Sequence, residues 1–275
     1  MKTERRKEQP PYSHTILAVS LFALLWLLPD LFDALTREAD EAWARVRASG
    51  VIRFVTEASY MPFEGVGGEG VFYGMDIDIA REVARRLGLR AEFINAGIDG
   101  LYDAVRVGQA DAAISALPID PARLEKWAYS RPYFEAGLVA VARSQITTNI
   151  DIDPAVNAGH YRAAVVLGSD GDAWLRFRQR RASEIERLEF GTAAEALRAV
   201  EDGRADVAIV DRVTALQWLN GFKLLRASSP LTSDPYAIAV WGDSVELKDA
   251  IDAALGSMAE DGTLGQIVEE WVGGQ

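Results

Sequence analysis

The sequence predicts an α/β fold of two lobes, each a mostly parallel sheet flanked by helices, with two crossover segments and a ligand cleft between the lobes. Three observations predict it. Ala104-Val-Arg-Val-Gly-Gln-Ala-Asp-Ala-Ala-Ile114 returns, with four substitutions, as Ala199-Val-Glu-Asp-Gly-Arg-Ala-Asp-Val-Ala-Ile209. Each copy reads as a helix end, a positive-φ stop at Gly108 or Gly203, and a short strand buried on both faces. Strand-like and helix-like segments alternate through the rest of the chain. Finally, residues 144–160 are polar and irregular, while residues 233–240 suit a strand crossing back to the first lobe.

Taken in order, Lys2, Arg5, Arg6 and Lys7 precede the apolar run TILAVSLFALLWLL at 15–28. That is the pattern of an export leader over 1–36, either a cleaved signal or an uncleaved anchor. Residues 36–49 read as an amphipathic helix ending at Gly50, and 51–56 as a strand. A loop rich in Gly and aromatics follows, then a helix over 76–87, a strand over 90–95 and a helix over 101–107. After the first repeated phrase come a short helix near Pro121 and a strand over 137–142. This assigns 37–143 together with 232–275 to the first lobe and 144–231 to the second.

The second lobe opens with a strand over 162–167, the turn Gly168-Ser-Asp-Gly171 and a helix from Ala173. A strand at 189–190 and a helix over 193–201 lead into the second repeated phrase. A helix over 211–219 and a strand over 223–226 follow. Helices over 248–260 and 264–272 close the chain around the Asp261-Gly262 turn.

Composition narrows the function. A net charge of −12 over 275 residues argues against nucleic acid as the main partner. The absence of cysteine excludes disulfides, thiol catalysis, Cys-ligated zinc and a lipid-modified Cys anchor. With only His14 and His160, a histidine metal site or triad is not expected. No cofactor, metal or catalytic residue is expected.

Ligands of open parallel sheets sit beyond the carboxyl ends of the strands. Arg123 lies past the first repeated strand, where a guanidinium suits a ligand carboxylate; a surface ion pair with Glu125 or another acid is the plainer alternative. Asp211 follows the second repeated strand, where a carboxylate suits an ammonium group or caps the next helix. Gly168, Ser169 and Asp170 form a turn whose N–H groups suit an anion, although Asp170 and Asp172 would oppose one. Tyr60 stands in the aromatic loop and Glu57 at the end of the first strand, facing either a ligand or local packing and water.

Several stretches in a fixed order carry a family resemblance: GVIRFVTEASYMPFE at 50–64, GMDID at 74–78, DGL at 99–101, ADAAIS at 110–115, IDPAR at 119–123, SRPYF at 130–134, and DGT at 261–263 ahead of Trp271. Over roughly 42–272 the chain resembles the periplasmic solute-binding proteins of ABC importers, specifically the polar amino acid-binding family. The resemblance implies a periplasmic-binding-protein-like fold and hinge closure on an amino acid or related cationic or zwitterionic solute. It also implies delivery to an inner-membrane ABC permease, a monomeric state and a periplasmic location, with membrane contact only through the N-terminal segment. By position it gives Arg123 the ligand α-carboxylate and Asp211 the α-ammonium. Ala116 would offer its carbonyl, Tyr60 and Ile98 would sandwich the side chain, and Glu57 would stand near its tip. Pro118 and Asp170 replace residues that usually supply hydroxyls, which points to a cationic amino acid, an amine or something other than an α-amino acid; Glu57, Asp170 and Asp211 against one Arg favour positive charge. Two alternatives stand beside this reading. One is a dehydratase-like enzyme on the same fold, with Glu57 or Asp170 as general acid. The other is a membrane-tethered sensor or accessory module.

Overall fold

A computed structural model describes residues 40–144, 161–180, 185–219, 221–222 and 224–272. The expected leader, both histidines and the stretch 145–160 of the expected crossing lie outside the described residues.

Helix α1 (Glu41–Ser49) starts at Asp40, whose carboxylate accepts the Trp43 N–H at 2.9 Å and the Leu247 N–H at 3.0 Å. Strand β1 (Val51–Thr56) follows, and a β2–β3 ribbon (Gly65–Val66 with Phe72–Tyr73) leads to helix α2 (Met75–Arg86). Strand β4 (Arg90–Asn95) and helix α3 (Leu101–Arg106) precede the first repeated strand, β5 (Ala112–Ala113). These strands join β6 (Trp127–Tyr129) and β14 (Ala239–Trp241) in one sheet of order β4-β1-β5-β14-β6. β4, β1 and β5 run parallel, and β14 is antiparallel to both of its neighbours. Phe54 and Ala112 pack on one face of this sheet, Val55 and Ala113 on the other, which is why β1 lacks a polar face.

The second sheet has the order β10-β9-β11-β8-β12. It contains β8 (Leu138–Arg143), β9 (Tyr161–Val166), β10 (Ile185–Phe190), β11 (Val207–Asp211) and β12 (Leu225–Ala227). Helix α4 (Asp170–Gln179) covers one face through Leu175; helices α5 (Ala193–Glu201) and α6 (Arg212–Leu219) cover the other. Helix α6 also joins the two cores, with Val213 packed in the first and Ala215 in the second. Helices α7 (Val245–Glu260) and α8 (Thr263–Val272) return to the first core.

One placement corrects the sequence reading. The strand expected over 137–142 in the first lobe is β8, and it pairs antiparallel with β11 in the second sheet. The chain has already crossed at β7 (Phe134–Glu135), which pairs with β13 (Pro235–Tyr236) on the return path. Gly137, at φ 30°, makes the turn, and a Cβ there would fall 2.1 Å from the Thr232 carbonyl oxygen. An apolar run buried on both faces carries no mark of the sheet it will join.

The repeat has a structural reason. Gly108 and Gly203 adopt φ 76° and 75°. In the first lobe Asp111 accepts the Arg53 backbone N–H at 2.8 Å and its Nε at 3.0 Å. In the second, Asp206 accepts the Arg162 backbone N–H at 2.8 Å and its Nη2 at 2.9 Å. The repeated Ala-Asp thus bolts each helix-strand turn to the first residues of a neighbouring parallel strand.

Gly74 (φ 130°) lets the 60–64 loop close onto the start of α2: Met75 N–H donates to the Pro62 carbonyl and Asp76 N–H to the Phe63 carbonyl, both at 2.9 Å. A Cβ at 74 would meet the Phe63 carbonyl oxygen at 2.2 Å. Gly74→Ala is therefore expected to destabilise the protein by about 2–4 kcal/mol, through backbone strain and overpacking. Thermal unfolding checks this, and an unchanged melting temperature would contradict it.

Candidate ligand site

Strand β11 ends at Asp211, whose carboxylate accepts the Thr214 N–H at 2.7 Å and so caps α6. Beside it, the turn after β9 places Gly168 at φ 78° and makes Ser169 the cap of α4, accepting the Asp172 N–H at 3.2 Å. Gly171 brings the helix start against β11; a Cβ there would stand 2.6 Å from the Ile209 carbonyl oxygen. Asp172 faces inward and accepts the Gly168 N–H at 3.0 Å while pairing with Arg187. Burial pulls its carboxyl upward, but the Gly168 N–H and the Arg187 guanidinium outweigh that and hold it below the usual carboxylate range. Asp172 thus stiffens the turn and is already neutralised. Asp170 has no such role.

These groups line a cavity of about 730 Å³. It brings together Tyr60, Gly168, Ser169, Asp170 and Asp211 with Trp174, Thr232, Ser233, Asp234 and Tyr236, and among the described residues no Lys, Arg or His lines it. Tyr60 lies over Phe63, ring centroids 5.4 Å apart at 14°, and offers its outer side to the cavity. Asp234 sits beside Glu135, which accepts its backbone N–H. Burial first, then the Glu135 and Asp170 charges, pushes the Asp234 carboxyl upward. A cation placed here would relieve the repulsion that Glu135 and Asp170 exert on Asp234.

The remaining expected residues lie in the first lobe, outside this lining. Glu57 ends near β1, where Ser59 donates to its carboxylate at 2.6 Å. Ile98 is 58% exposed. Ala116 has φ 45°, and its N–H donates to Asp76 at 2.6 Å. Pro118 forms an isolated bridge with Tyr236. Arg123 pairs with Asp120 rather than Glu125, its Nε 3.1 Å from the carboxylate, and its guanidinium lies 4.1 Å from the Tyr102 ring centroid. Among the described residues its outer nitrogens carry no further hydrogen bond, so that edge is open to a carboxylate.

Sequence reasoning missed Trp174, Thr232, Ser233 and Asp234. The signal available was Ser-Asp-Pro at 233–235, a polar break inside the crossing strand, and a tryptophan one turn into the helix after the Gly168 turn.

Comparison with known proteins agrees with this architecture. The family described as bacterial extracellular solute-binding proteins, family 3, matches residues 52–274. The ABC transporter arginine-binding protein 1 of Escherichia coli is 24% identical over 230 residues, covering 82% of this chain and 91% of that protein. A solved ancestral cationic amino acid solute binding protein is 27% identical, with a TM-score of 0.60 over 83% of this chain and 98% of that one. An ancestral cyclohexadienyl dehydratase, 24% identical with a TM-score of 0.72 over 86% of this chain and 97% of that one, shares the fold.

Proposed function

Because this chain belongs to the bacterial extracellular solute-binding proteins, family 3, we propose that it captures a small positively charged or zwitterionic solute, an amino acid or a related amine, and delivers it to an ABC importer. The cavity carries the reading: Asp170, Asp211 and Asp234 converge in it between Tyr60, Trp174 and Tyr236, with no basic side chain among the described residues of its lining. The arginine-binding relative of an ABC transporter and the ancestral cationic amino acid-binding protein support the same ligand class.

Asp211 takes the ligand ammonium, and aromatic faces pack against its apolar part. Arg123, in the first lobe, takes a carboxylate when the ligand has one. Because these two groups belong to different lobes, they engage one guest together only when the lobes shut, so ligand binding favours the closed state. We read the protein as a carrier rather than an enzyme: the ancestral dehydratase shares its fold, while the arginine-binding relative is named for binding.

Thermal-shift screening of the full chain against basic amino acids, polyamines, neutral amino acids and organic acids tests this. A basic amino acid or amine at a hundred times its dissociation constant is expected to add about 2.7 kcal/mol of stability. Stabilisation by anionic compounds alone would refute the assignment.

We place the protein outside the inner membrane, as its family's description implies. Among the described residues no helix is long and apolar enough to cross a membrane. We propose that a tether, where present, is the 1–36 segment, whose basic residues precede an apolar run, and the mass of the mature protein distinguishes a cleaved from an uncleaved leader.

A further inference from the structure

Two carboxyls lie buried beneath the Ser115–Ala116 turn. Glu64 is 1% exposed and Asp76 fully buried. Glu64 Oε1 accepts the Ser115 hydroxyl at 2.7 Å. Asp76 Oδ2 accepts the Ala116 N–H at 2.6 Å and the Tyr133 hydroxyl at 2.9 Å. Their other oxygens, Glu64 Oε2 and Asp76 Oδ1, have no hydrogen-bond partner among the described residues, and the two carboxyls are held by consecutive residues of one turn, Ser115 and Ala116. The charged and titratable neighbours are Glu57 and Tyr60 towards Glu64, and Tyr133 and Tyr236 towards Asp76. None of them is a cation. Two unpaired carboxylates side by side in such a site would each carry a large desolvation cost.

We propose that Glu64 and Asp76 share a proton between Oε2 and Oδ1, and that this acid pair is the positioning device for the turn carrying Ala116. One proton satisfies both orphaned oxygens: the protonated Glu64 donates, and Asp76 accepts while holding the Ala116 N–H. That bond keeps a non-glycine residue at φ 45°, a conformation that persists only where its surroundings impose it. Burial first, and then each other's proximity, pushes Glu64 upward; burial likewise raises Asp76 against the opposing pull of its donors. The inference rests on the proposed function only in that the family resemblance gives Ala116 a ligand contact; its tests need no ligand and so fail independently of that reading.

A carboxyl whose folded pKa is raised stabilises fully below its unfolded value, about 4, and loses that contribution as pH rises through the folded value. In the range where the folded state retains one extra proton, the unfolding constant rises about tenfold per pH unit. Little else titrates there, because the chain has two histidines and no cysteine.

The experiment compares urea unfolding of the full chain and Glu64→Gln from pH 5 to pH 8. It is paired with infrared spectra at pH 8, where ordinary carboxyls are ionised. The Gln amide can accept from Ser115 and donate to Asp76, replacing the shared proton. The variant is expected to fold, to match the parent at pH 5, and to lack the tenfold-per-unit loss above it. The parent should show the C=O stretch of a protonated carboxylic acid at pH 8, and the variant should lose it. A parent without that band, a variant with the parent's slope, or a variant that fails to fold would each overturn the proposal.

Discussion

Asp211→Asn is expected to weaken ligand binding by about 30- to 5,000-fold while leaving the fold intact. Removing one partner of a hydrogen-bonded charge pair costs about 2–5 kcal/mol, which converts to that range. Asparagine is the informative replacement because Asp211 has two roles. Its carboxylate caps α6 through the Thr214 N–H at 2.7 Å, and Asn caps nearly as well as Asp. Asp211→Ala would also lose the cap, at about 0.5–2 kcal/mol of stability. Calorimetric titration with the best cation from the screen checks the prediction. If Asp211→Asn binds like the parent, the ammonium is held elsewhere. The same titration on Arg123→Ala reports on the ligand: a comparable loss is expected for an amino acid, and little change for an amine without a carboxylate.

The second large effect concerns stability. Asp111→Asn is expected to cost about 1.5–3 kcal/mol, the worth of hydrogen bonds to a charged group, because the carboxylate is buried while Arg45 and Arg53 stay 46% and 28% exposed. For a protein of this size that corresponds to a melting temperature lower by about 3–12 °C. The Asp111 side chain is 1% exposed and serves Arg53 through backbone and guanidinium, with Arg45 Nη2 at 2.7 Å. Burial raises its carboxyl, but the two arginines prevail and hold it below the ordinary value. Its contribution is accordingly present above about pH 4 and fades as the pH falls through the lowered folded value. Asp206→Asn makes the internal comparison: it breaks the matching bolt at a side chain 36% exposed, where water replaces the lost bonds. Equal losses at the two positions, measured by thermal unfolding, would contradict the explanation.

Much of this was legible because it is local. Positive-φ glycines, helix stops and a strand without a polar face are written in the repeated phrase itself, and the structure places both copies centrally in their sheets. Asp211 as a helix cap was legible for the same reason. What escaped depends on distance. The partner of Asp111 is Arg53, 58 positions away. Nothing within the β8 segment announces that it will pair with β11. The cavity wall was half seen: Trp174 and Asp234 are chemically suitable, but Asp234 lies beside the return strand β13 and joins Asp211 in one cavity only once the chain has folded back.

The β7–β13 ribbon sets the terms on which the molecule moves. Among the described residues the two large sheets share no strand, so bringing the lobes together opens no ladder in either. We propose that a shut form is reached without breaking either sheet, and that apparent affinity scales with how often that form is visited. Substitutions in β7, outside the cavity lining, are therefore expected to retune uptake through this equilibrium.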